Sequence, residues 1–287
     1  LNGMVTKLEN SGASWQMCYT TTHVALNPEA GQVMTWKKTN ASNKVVSTNL
    51  KVLSNNTANK ENLFLTTMGN MAVGKRIDGS GAEQGIAATR IAIDRSDNKD
   101  CFRDDAAIAA IYMTDEDEAS CGGRCKNKAD EPDLATHPVS KYKEGYIALS
   151  NYNQFDKLLA RLQEKWSKKA FTGHAIVIKP GDKDCWKAQD SQDVAFYGKE
   201  YNKLRAASGG ILGDICASSY ASQLNKIATR IVESTSSVTL RCTPSADPTV
   251  VVTPSPGTLN ISYSGNKIFF DPALESGDQV TVTYRCK

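Results

Sequence analysis

The sequence predicts an α/β chain followed by a small all-β module, and three observations lead there. Ala106 to Met113 is an unbroken apolar run of eight residues. It is far shorter than the roughly 20 a membrane-spanning helix needs and has the length of a strand covered on both faces. Apolar stripes at helical spacing flank it on either side, at Leu1, Met4, Val5 and Leu8 and again between Tyr152 and Trp166. From Ser236 the period changes to two, in short alternating segments separated by Pro/Gly turns. Residues 1–236 are therefore read as the α/β domain and 237–287 as the β module.

In chain order, the first stripe predicts an amphipathic helix at Leu1 to Leu8, with nothing before Leu1 to cap its free amides. Trp15 to Val24, rich in aromatic and β-branched residues, predicts a strand. Asn27 to Asn62 is polar with weak strands, and Trp36 reads as a loop anchor. Gly79 to Gly85 (GSGAEQG) leads into a helix over Glu83 to Ile93, where Ala87, Ala88 and Ala92 permit close packing.

Alanine is a poor strand former, so composition alone leaves Ala106–Met113 open to a helix. The stop at Thr114, followed by Asp115, Glu116, Asp117 and Glu118, favours the strand. Ligands of open α/β sheets collect at the carboxyl ends of strands. Carboxylates there make either a hard-cation site or a solvated acidic turn.

Beyond it, Cys121 to Pro138 is a long polar loop. The helix over Tyr152 to Trp166 follows, with Asn151 and Gln154 as capping candidates. Ala175 to Ile178 is a buried strand with His174 at its start, read as a core or edge histidine. Ser208-Gly209-Gly210 ends a helix with glycine in the left-handed position, and a last helix runs from Ser219 through Ile231.

Lys and Arg number 34 against 31 Asp and Glu, a net charge of +3 without a dominant basic block, which argues against a nucleic-acid partner. The eight cysteines lack zinc spacing and the three histidines are scattered, so disulfides in an oxidising compartment are expected: secreted, periplasmic or cell-surface. Cys242 with Cys286 and Cys185 with Cys216 are the expected pairs. No transmembrane segment is evident in the sequence. No HExxH, GxSxG, Walker loop or Ser/His/Asp constellation stands in the chain, and an enzyme is not expected.

GSGAEQG, FRDDAAIAAIYMTDEDEAS, FTGHAIVI and YNKLRAASGGILGDICASSYASQLNKI, in that order, resemble the von Willebrand factor A (VWA) family, in its bacterial secreted and surface branch. The resemblance implies a VWA-like (Rossmann-type) mostly parallel sheet flanked by helices. It also implies a metal-ion-dependent adhesion site holding Mg²⁺, or Ca²⁺ or Mn²⁺. Ser80 and Asp115 match two of its ligand positions, whereas the family's Asp-x-Ser-x-Ser loop occurs nowhere in the chain. On this reading a divalent ion bridges to an acidic group on a protein or surface ligand. The strand before Leu1 would come from an N-terminal segment or from another chain. The alternative is a structural subunit of an extracellular filament or surface assembly, using the fold as a scaffold without metal.

Overall fold

A single strand, Phe171–Val177, is buried along almost its whole length, and the α/β part of the molecule packs on its two faces. The computed structural model describes residues 2–22, 24, 30–71, 83–104, 106–119, 122–124, 147–167, 169–191, 195–255, 257–271, 274 and 278–287. The elements begin with α1 (Asn2–Asn10), β1 (Gln16–Met17), β2 (Lys37–Thr39), β3 (Val45–Ser47), β4 (Leu53–Ser54), α2 (Lys60–Met71) and α3 (Gly85–Asp94). They continue with β5 (Ile108–Met113), β6 (Gly123–Arg124), β7 (Ile147–Ala148), α4 (Phe155–Lys165), β8 (Phe171–Val177), α5 (Lys183–Asp190), α6 (Lys199–Ser208), β9 (Leu212–Asp214) and α7 (Ala221–Thr235). Five strands close the chain: β10 (Ser237–Thr239), β11 (Thr249–Thr253), β12 (Asn260–Ser264), β13 (Lys267–Asp271) and β14 (Gln279–Thr283).

β5, β8 and β9 form a parallel sheet in that order, with Ile108 opposite Phe171 and Ala175 opposite Leu212. On one face, Tyr112, Ala175 and Val177 meet Ile86 and Ile93 of α3, Leu158 and Leu162 of α4, and Tyr201 and Leu204 of α6. On the other, Ile176 joins Met4, Val5 and Leu8 of α1 and Leu224, Ile227 and Ala228 of α7. The stripe expected on the first helix is thus the one buried. Trp36 is fully buried in the same cluster, its indole N–H donating to the Lys51 carbonyl at 3.0 Å. His174 is core as well: its Nδ1 accepts the Ile211 N–H at 3.1 Å, tying the start of β9 to β8. Burial, with Arg230 nearby, lowers its pKa to about 4, so the ring stays neutral.

The expected VWA-like, mostly parallel sheet flanked by helices is not what the chain forms. Among the described residues there are six separate sheets of two or three strands, and only the β5–β8–β9 sheet is parallel. The resemblance to the VWA family fails on this topology. Among the described residues, the first hundred positions add no strand to that sheet. The strand expected over Trp15–Val24 shrinks to β1, paired antiparallel with β4, while β2 and β3 pair with each other. β5 also departs from its forecast. Its burial alternates, and Ile111 and Met113 are 36 % and 47 % exposed.

β6 pairs with β7, and the last five strands pair antiparallel, as β10–β13–β12 and β11–β14, around Leu240, Ile268 and Phe270. Among the described residues three disulfides join Cys18 to Cys101, Cys185 to Cys216 and Cys242 to Cys286. The last two are the pairs expected from the sequence; the first was not foreseen, and Cys121 and Cys125 lie outside the described residues.

Close backbone approach fixes glycines beside β8. A Cβ at Gly210 would collide with the Gly173 carbonyl oxygen, and a backbone atom cannot swing aside as a side chain can. Gly210→Ala should therefore destabilise the chain by about 1–3 kcal/mol, the range of overpacked cores, read as a lower urea midpoint.

Candidate functional site

The acidic turn Asp115 to Glu118 sits at the carboxyl end of β5, and its chemistry follows from what packs around it. Helices leave their first backbone N–H groups without intrahelical partners, and two helices begin here without a capping side chain of their own. At α3 the N-cap residue, Gln84, makes no side-chain cap bond. At α6 the N-cap is Gly198, which has no side chain to offer. A larger residue does not fit, because a Cβ there would lie 2.6 Å from Cβ of Val177.

The turn supplies both missing caps across the fold. Glu118, fully buried, accepts the Ile86 and Ala87 N–H groups of α3 at 2.8 and 3.0 Å. It also accepts the Tyr201 hydroxyl at 2.9 Å and the Asn153 amide at 2.7 Å. Tyr201 Oη in turn accepts the Gly85 N–H at 2.9 Å, and Asn153 donates to Gln84 Oε1 at 3.0 Å. Asp117 Oδ1 accepts the Glu200 N–H of α6 at 2.9 Å. Glu116 accepts the Glu83 N–H at 3.2 Å, the Ala119 N–H donates to the Glu83 carbonyl, and the Glu83 carboxyl pairs with the Thr114 hydroxyl.

Burial raises the carboxyls of Asp117, Glu118 and Glu83. Asp117 reaches about 8, through desolvation with the charges of Glu200 and Glu118 adding to it and N–H donors opposing. Glu118 reaches about 7 through desolvation, opposed by its four donors. Glu83 reaches about 7, again by desolvation, with Thr114 opposing and Asp115 adding. The Asp117 Oδ2 is buried without a hydrogen-bond partner, and the left-handed Gly122 (φ 77°) packs against it.

Neither sequence alternative describes this turn: Glu116, Asp117 and Glu118 are buried, so it is not solvated, and each of the three carboxyls accepts at least one backbone N–H. Of the expected ligands, Asp115 stands half-buried two residues past the end of β5, with its carbonyl accepting the Phe196 N–H at 2.8 Å. Ser80 lies outside the described residues.

Among the described residues one cluster has metal-ligand spacing, namely Cys185, Asp214 and Cys216. Its two sulfurs are bonded to each other as a disulfide and offer no thiolate. Asp214 is engaged too, its Oδ2 2.9 Å from Lys179 Nζ and its Oδ1 accepting the Cys216 N–H at 2.8 Å. The expected Mg²⁺ (or Ca²⁺ or Mn²⁺) site, and with it metal-assisted adhesion, is corrected accordingly.

The sequence reasoning missed Glu118, Glu83, Asn153 and Tyr201. A usable signal was present: two helices without local caps, and a run of carboxylates at the end of the strand between them. A concavity of about 270 Å³ lies elsewhere, lined by residues that include Val33, Leu50, Asn98 and Cys101; it is smaller than the usual ligand pocket of roughly 300–1,000 Å³. No described helix is long and apolar enough to cross a membrane.

Glu118→Ala strips four donors of their acceptor at a buried site, where each orphaned donor costs about 1–3 kcal/mol. The loss should exceed about 3 kcal/mol in a urea melt. The raised carboxyls also set a pH slope. Between their unfolded values near 4 and their folded values of about 7 to 8, the native state holds protons that the unfolded chain has released. Stability should therefore fall as pH rises from about 4.5 to about 8. Asp117→Asn should flatten that slope in thermal melts.

No model of a known protein family, no curated protein and no solved structure matches the chain.

Proposed function

We propose that this chain is a structural subunit of an extracellular filament or surface assembly, a disulfide-braced scaffold that works without metal and without catalysis. The observation that carries the reading is the internal use of the acidic turn. The carboxylates best placed to engage a ligand instead hold α3 and α6 on the sheet. Their role is architectural, and it leaves the end of β5 without an adhesive ion.

The disulfides support the setting. Cys18–Cys101 spans 83 positions, Cys185–Cys216 spans 31 and Cys242–Cys286 spans 44. Such bonds persist in oxidising compartments, so we place the protein outside the cytoplasm: secreted, periplasmic or at the cell surface. Its partners on this reading are protein or surface components, not nucleic acid. Residues 237–287 form a small β module closed by the Cys242–Cys286 bond, in keeping with the staples that small domains need.

Assembly of purified protein, followed by sedimentation and electron microscopy, should be unchanged by EDTA or by added Mg²⁺. Reductant should lower the melting temperature, because each loop-closing disulfide contributes about 2–4 kcal/mol. Chelator-sensitive association would refute the scaffold reading.

A further inference from the structure

We draw no further inference here: the strongest candidate, the buried Asp117 carboxyl in the acidic cluster beside the first turn of α6, belongs to the capping turn already described, where its unpartnered Oδ2 packs against Gly122 and only its raised pKa sets it apart.

Discussion

The carboxylate of Glu118 fixes the arrangement of one whole face of the molecule. It leaves the acidic turn after β5 and reaches the first free N–H groups of α3, the Tyr201 hydroxyl of α6 and the Asn153 amide at the approach to α4. Those three helices cover the same side of the parallel sheet. Without it the Ile86 and Ala87 N–H groups and the Tyr201 hydroxyl would face a dry interior unpaired, each at a cost comparable to a lost hydrogen bond. A carboxylate at a helix N-terminus also meets the favourable end of the helix dipole. Glu118 therefore ties α3, α6 and the approach to α4 to the turn after β5 with one side chain.

Asp117 repeats the device at α6, where Val177 leaves room only for a glycine at the N-cap. Sheet packing excludes the local cap, and the neighbouring strand's turn replaces it. The consequence reaches the chemistry. Each oxygen that accepts an amide is withdrawn from any ion, and desolvation raises the enclosed carboxyls toward their protonated forms. A hard cation requires charged, accessible oxygens. Capping and metal binding compete for the same atoms here, and capping holds them.

The sequence was most legible where one local period decided the outcome. The stripe of α1, the helix around Leu158 and Leu162, the left-handed Gly209 (φ 70°) and the alternating strands after Ser236 all follow from nearest neighbours. The capping candidates before α4 were less accurate. Gln154 makes no cap bond and donates instead to the Leu149 carbonyl, while Asn153 serves the Glu118 network. Apart from two of the disulfides, long-range contacts were illegible. The contacts of Glu118 with Ile86, Asn153 and Tyr201 cross 32, 35 and 83 positions, and no spacing rule encodes them. The VWA resemblance failed for the same reason. Its motifs are local, whereas the width of a sheet depends on whether distant strands pair.

β5 carries the remaining tension between composition and environment. Its run of apolar residues on both faces predicts a strand covered on both sides, yet the chain covers only the face of Ile108, Ala110 and Tyr112. β8, one position further into the sheet, shows what full cover looks like, with Ile176 and Val177 both fully buried on opposite faces. Isolated exposed apolar residues are ordinary on protein surfaces, but Ile111 and Met113 combine with an uncharged strand and a row of outward backbone groups. Burying the side chains without pairing the backbone would leave polar groups dry, and pairing the backbone without the side chains would forgo the apolar gain. Pairing the backbone and covering the face are separate demands at β5, and among the described residues neither is met on its outer side.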